Sequence, residues 1–192
     1  MNLLPFETER LVVRNWQERD RDLFFEINSD DKVMEFFPFR RSRQQSDELM
    51  DRLAASIERD GFGFAALELK QGGECIGFCA IARASMEAAG FPAGMIEIGW
   101  RLASRYWGKG YVTEAARAWL RTGFENLGLD EIVSFAVHDN VRSTSVMERI
   151  GMRRDTARDF DHPAIPETCP QLKRHVFYAL GRDEWRAATA GH

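Results

Sequence analysis

Long apolar runs and an excess of positive charge are missing from this 192-residue chain, and cysteine is scarce. No charge-free stretch approaches the roughly 18 apolar residues that a membrane span requires. The start, Met1-Asn2-Leu3-Leu4-Pro5-Phe6-Glu7, lacks the basic segment of a secretory signal, so a cytoplasmic protein is expected. Lys plus Arg number 26 against 30 Asp plus Glu, a net charge of -4, without the basic excess that binding a phosphate backbone demands. Neither a nucleic acid nor a membrane is an expected partner. There are three cysteines. Cys75 and Cys79 fall in what reads as one strand, about 13 Å apart at strand rise, and Cys169 has no nearby partner. A disulfide framework and a Cys-x-x-Cys metal site are therefore both excluded. His138, His162 and His175 match no ligand spacing, so no metal is expected and structural roles are assigned to them.

What remains is a chain with 44% hydrophobic residues, enough for one sizeable core, with no linker, repeat or low-complexity tract. Residues 1–192 read as a single domain. Glu9 to Arg14 alternates Arg10, Val12 and Arg14 against Leu11 and Val13, which predicts a half-buried strand. Leu23, Phe24 and Ile27 predict a helix over 20–28. Ser42-x-x-Gln45 is a capping box ahead of Leu49, Leu53 and Ile57, and Gly61 stands where that helix would end. Three apolar segments, Phe62 to Lys70, Cys75 to Arg83 and Met95 to Leu102, predict an antiparallel meander.

The chemistry is concentrated after Ile96. Ile96 to Leu102 reads as a strand, Ala103 to Tyr111 as a loop, and Val112 to Leu127 as a helix with Val112, Ala115, Ala116, Trp119, Leu120, Phe124 and Leu127 on one face. Arg105-Tyr106-Trp107-Gly108-Lys109-Gly110 thus opens directly onto a helix N-terminus. Glycines let backbone approach a ligand closely, and unpaired amides at a helix start attract anions. A pyrophosphate cradle is the reading. A Walker loop would need Ser or Thr after Gly-Lys, but Lys109 lies between two glycines. A dinucleotide fingerprint would need a third glycine at Thr113 and a run of βαβ units, which leaves a Rossmann domain disfavoured. Ile132 to Val137 forms the next strand, and Asn140 caps a short helix through Val141, Met147 and Ile150 that stops at Gly151.

Ile96 to Arg153 resembles the GNAT superfamily of acetyl-CoA-dependent N-acetyltransferases, whose signature is an Arg/Gln-x-x-Gly-x-Gly/Ala loop; Arg105 to Gly110 fits it in full. The flanks are similar to the RimJ/RimL branch: Glu9-Arg10-Leu11-Val12-Val13-Arg14, then Gly108-Lys109-Gly110-Tyr111-Val112-Thr113-Glu114-Ala115, then Asn140-x-x-Ser143 and Ile150-Gly151-Met152. The resemblance implies an α+β fold, a mixed, mostly antiparallel sheet of about seven strands with helices on both faces. It implies acetyl-CoA as acetyl donor and a primary amine, a protein N-terminus or a small molecule, as acceptor. In that family pantetheine lies between two splayed strands, which places Trp100, Arg101 and Leu102 beside it. The pyrophosphate falls to the loop and helix start, Arg105, Tyr106, Trp107, Gly108, Lys109, Gly110, Tyr111, Val112 and Thr113, with the backbone doing more than the Arg105 and Lys109 side chains.

The amine attacks the thioester directly, so the family's chemistry requires a base for the amine and a proton for the departing thiolate. Glu97 is the candidate base; an ordinary hydrogen-bonded strand glutamate is the alternative. Many members use a tyrosine as the acid seven residues after the capping asparagine, where this chain has Met147, which donates no proton. Ser143 takes its place as the candidate, and an ordinary first-turn serine is the alternative. Asn140 both caps its helix and is placed to contact the cofactor. Trp107 and Trp119 read as packing residues. Phe36-Phe37-Pro38-Phe39-Arg40-Arg41 and the long segment Asp155 to Leu172 occupy acceptor-lining places, the latter also suited to a homodimer contact. The rival to an enzyme is a non-catalytic acyl-CoA binding module, against which Glu97 and Ser143 argue.

Overall fold

The alternating segment near the start forms strand β2 (Leu11–Arg14), preceded by the two-residue β1 (Phe6–Glu7). These and all later elements belong to a computed structural model that describes residues 3–84 and 86–190. Two helices follow, α1 (Arg21–Ser29) and α2 (Arg43–Asp60). The capping box at the head of α2 is formed in both directions: the Gln45 N–H donates to Ser42 Oγ at 3.2 Å, and the Ser42 N–H donates to Gln45 Oε1 at 3.0 Å. Gly61 ends α2 in the left-handed region at φ 79°, where a Cβ is costly.

Strands β3 (Ala65–Leu69), β4 (Cys75–Arg83) and β5 (Ile96–Leu102) then make the antiparallel meander that the apolar segments predict. Helix α3 (Tyr111–Arg121) carries the chain across, so that β6 (Glu131–Val137) runs parallel to β5. After α4 (Val141–Arg149) come β7 (Arg153–Arg154), β8 (Phe160–Asp161), β9 (Arg174–Gly181) and α5 (Arg182–Thr189). The sheet order is β1-β2-β3-β4-β5-β6-β9-β7, with β8 also on β9, and every described pairing except β5–β6 is antiparallel. The sheet has nine strands among the described residues against about seven expected, and three of them, β1, β7 and β8, have only two residues each, too short to show a period.

The two faces of the sheet are covered by different elements. Phe78 points to the α1–α2 side, where it meets Phe24, Phe64 and Trp16 with ring centroids 5.5 to 6.4 Å apart. Cys79 lies on the opposite face; its carbonyl accepts the indole N–H of the fully buried Trp119 of α3 at 2.8 Å. Burying such a side chain contributes roughly 3 kcal/mol. Both strand cysteines are buried and unbridged, and burial pushes the Cys75 thiol up to about 12, so it has no reactive thiolate at neutral pH. The α3 face expected to run to Leu127 continues past Arg121 as one wider π turn, Thr122–Asn126. Gly123 within it is pressed against Ile132 and Ile81, with no room for a side chain.

On the β6–β9 half, the α1–α2 face carries a second core of Ala84, Met86, Val133, Phe160 and Phe177. Phe160 belongs to the Asp155 to Leu172 segment. That stretch is therefore only partly a surface loop: β8 pairs with β9, and Phe160 packs edge-on against Phe91 at 5.0 Å. No helix among the described residues is long and apolar enough to cross a membrane.

Candidate active site

Strands β5 and β6 touch at a single register pair, Glu97 with Val133. One residue further on, Ser134 Oγ donates to the Ile98 carbonyl at 2.9 Å, and beyond that the strands part. Because strand residues alternate, Trp100 turns its N–H and C=O the same way as Ile98, into the gap. Leu102 does likewise, but its carbonyl accepts the Trp107 indole N–H at 2.9 Å. Arg101 faces the other way. Its carbonyl points at β4, where it lies 2.2 Å from the place a Cβ on Gly77 would occupy. Of the three strand residues expected to offer backbone to a ligand, Trp100 alone presents both groups to the gap without a protein partner among the described residues.

The gap widens into a cavity of about 1440 Å³ that runs from the Arg105 to Gly110 loop to the aromatic wall beside α1 and α2. At the loop, Gly108 (φ 73°) and Gly110 (φ 80°) both occupy the left-handed region, producing a tight turn into α3. The Glu114 N–H is the first in α3 to find a backbone acceptor, the Gly110 carbonyl at 3.0 Å, and no side chain among the described residues caps the helix. The amides of Tyr111, Val112 and Thr113 are left to the cavity, where the helix dipole favours an anion.

A carboxylate in the first turn would oppose that field, and Glu114 is placed there. It is drawn aside: it accepts the Thr8 hydroxyl, the Arg10 N–H at 2.7 Å and Arg10 Nε at 2.6 Å. Arg10 also donates to the Lys109 carbonyl at 3.0 Å and lies over the Tyr111 ring at 4.6 Å. This brace from the N-terminal strand was not legible in the loop motif, because the two partners are 104 residues apart. Arg105 is turned from the cavity toward Glu26 and Glu74, and Lys109 Nζ lies over the Tyr106 ring at 5.3 Å. The loop's backbone faces the cleft while its two cationic side chains are otherwise engaged. Gly110→Ala should therefore lower coenzyme A affinity by about tenfold, close to 1.4 kcal/mol, by tilting these amides. Titration calorimetry on the folded variant checks this; parental affinity would make the loop a plain connection.

Glu97 stands where the strands part, on the α1–α2 face, and its carboxyl has no hydrogen-bond or ion-pair partner among the described residues. Burial alone pushes it up to about 7. On the far side of the gap Asn140 caps α4, its Oδ1 accepting the Ser143 N–H at 3.2 Å. Ser143 is half-buried and lines the cavity, whereas Met147, one turn on, is buried in the core. His162 and His175 line another part of the cavity, rings 4.9 Å apart, with His175 Nδ1 donating to the Lys173 carbonyl at 2.9 Å. Burial holds His175 down to about 4, so it is neutral at physiological pH. Phe36 and Phe37 line the cavity as their placement suggested, while Phe39 is exposed.

Residues 10–153 match the family model for the acetyltransferase (GNAT) domain. The chain belongs to the GNAT acetyltransferases. Among curated proteins, an uncharacterized N-acetyltransferase of Bacillus subtilis, YnaD, is 29% identical, over 93% of this chain and 97% of its own length. The FsC-acetyl coenzyme A-N(2)-transacetylase of Aspergillus fumigatus is 27% identical, over 93% of this chain and 76% of its own. A GNAT-family acetyltransferase from Bacillus anthracis shares the fold at a TM-score of 0.76 and 24% identity, covering 94% of this chain and 99% of that one. The GNAT domain makes this protein an acetyl-CoA-dependent acyltransferase, with the α+β architecture of that family.

Proposed function

We propose that this enzyme, as a RimJ/RimL-like member of the GNAT family, transfers acetyl from acetyl-CoA directly to a primary amine. The observation that carries the reading is Glu97: an unpartnered carboxyl held up to about 7, at the point where the strands part, in the same cavity as the α3 amides. Trp100 supplies the backbone edge for the pantetheine amides, and the Gly108 to Thr113 backbone receives the pyrophosphate. The amine nitrogen attacks the thioester carbonyl, Glu97 takes the proton the nitrogen sheds, and the carbon–sulfur bond breaks with Ser143 Oγ as hydrogen-bond donor to the thiolate. A carboxyl poised near neutrality suits that task, since a sizeable fraction is ionised at neutral pH while the ionised form is basic enough to accept the amine's proton.

The test is thiol release from acetyl-CoA across a panel of small amines and N-terminal peptides, paired with thermal shifts. Coenzyme A at 100 times its dissociation constant should add about 2.7 kcal/mol of stability, and NAD or ATP at equal concentration far less. Binding without release on every acceptor would favour a non-catalytic module. A larger shift with NAD would remove the acetyl-CoA site.

A further inference from the structure

Two half-buried arginines on the α1–α2 side of the sheet, Arg101 in the cavity wall and Arg41 behind it, make no ion pair among the described residues. Arg101 shares the α1–α2 face with Glu97, four residues along β5, which sets their Cα atoms about 13 Å apart. Its Nη1 donates to Asn28 Oδ1 at 2.7 Å, and the guanidinium lies over Phe37 at 4.3 Å and Phe78 at 5.4 Å. The other donors have no partner among the described residues, and Arg101 lines the cavity. Asn28 is fully buried, and its backbone carbonyl accepts the backbone N–H of Arg41 at 3.0 Å, which fixes Arg41 beside this group. Arg41 leaves its buried Nε without a partner and stacks on Phe39. The carboxylates of the neighbouring elements are taken: Glu26 by Arg105 and Glu35 by Arg142.

The contrast with Arg14 is instructive. Arg14 is buried, but it meets Asp20 through two hydrogen bonds at 2.7 and 2.9 Å, and Glu68 at 2.7 Å. That is how a buried guanidinium is normally accommodated, since a charge removed from water without a counter-ion is costly. At Arg101 a neutral amide and two ring faces stand in for the counter-ion, and burial together with Arg41 lowers its pKa to about 10. A position needed only for packing would be served by Leu or Met.

We infer that the missing counter-ion arrives with the acceptor: the amine substrate carries a carboxylate, which pairs with the Arg101 fork beside Arg41 while the amine reaches toward Glu97. This deepens the acetyl-transfer reading and rests on it for the identity of the reacting end. A planar guanidinium with several unused donors suits a carboxylate through paired hydrogen bonds. The rings of Phe37 and Phe78 around it suit an amino acid with an apolar body. Polyamines and other polycations are disfavoured acceptors, because a second ammonium would meet the Arg101 guanidinium.

The test does not depend on turnover. The twenty N-acetyl amino acids, which are the product form, and their primary amides are titrated calorimetrically into the protein saturated with coenzyme A. At least one acid should bind ten or more times tighter than its own amide. Arg101→Met should erase that difference while keeping coenzyme A affinity, and Arg101→Lys, which keeps the charge without the fork, should retain part of it. Equal affinity of acid and amide in the parent, no binding by any of the twenty, or a preference that survives Arg101→Met would each overturn the inference. Acid-selective binding through Arg101 without thiol release from acetyl-CoA on any amine would instead refute acetyl transfer and leave the carboxylate site standing.

Discussion

Glu97→Gln should lower kcat/KM at neutral pH by about 10²-fold or more, the usual range for losing a general base. The substitution keeps the size of the side chain and removes its basicity, so coenzyme A affinity should barely move. The pH profile separates this role from a structural one. Glu97 accepts a proton only when ionised, so the parent's kcat/KM should fall as pH drops through about 7. That inflection should vanish in the variant. At alkaline pH the acceptor amine is deprotonated in solution and the gap between the two should narrow, further still for an acceptor of low pKa. Stability moves the opposite way. A carboxyl raised from 4.5 to about 7 favours its neutral form in the folded state. The parent therefore loses stability as pH rises from about 4.5 through 7, and Glu97→Gln does not. Above pH 7 the variant should be more stable by at most about 3 kcal/mol, less where solvent in the cavity screens the charge; below pH 4.5 the two should melt together. Parental activity at every pH would leave the proton's route to water or a backbone carbonyl.

Gly77→Ala is expected to destabilise the fold by about 3 kcal/mol or more, a drop near 10 °C for a chain of this size. Gly77 has φ 144°, a conformation that side chains rarely adopt, and an added Cβ would lie 2.2 Å from the Arg101 carbonyl and 2.7 Å from Leu102 Cα. Both obstacles are backbone, so neither can swing aside. Gly72 is the control: its φ is also positive, 92°, but nothing lies within 4 Å, so Gly72→Ala carries only the conformational cost of about 1 kcal/mol. If Gly77→Ala melted within 2 °C of Gly72→Ala, the contact between β4 and β5 would be softer than its geometry requires. The displaced atoms belong to the strand that holds Trp100 and Arg101, so the variant should also bind coenzyme A more weakly.

What the sequence revealed of this site was local. The capping box at Ser42, the Asn140 cap and the glycine turn before α3 are each written in adjacent residues, and each forms as expected. Gly77 and Arg101 were not legible in that way. A glycine inside an apolar run carries no mark of the strand that presses on it, and the cost of a Cβ there is visible only once Leu102 is opposite. Trp100, Arg101 and Leu102 read as one backbone segment, but the alternation of a strand separates them. Trp100 faces the gap, and Arg101 sends its side chain to the aromatic wall beside Phe37 and Phe78. The elevated proton affinity of Glu97 likewise depends on walls contributed by distant segments. Phe160, read as part of a loop, belongs to a core because β8 is only two residues long.

The single pair joining β5 to β6 has a consequence for what can enter the molecule. Unpaired strand edges ordinarily lie at the rim of a sheet, where they invite pairing with any other polypeptide and lead to aggregation. Here the edge at Trp100 is recessed between two half-sheets, walled by the α3 turn on one side and by α4 on the other. Its N–H and C=O have no protein partner among the described residues, yet they open into an internal cleft and not onto the outer rim of the sheet. The fold thus leaves a short stretch of strand edge free in the one place where it faces a cavity instead of a neighbouring molecule.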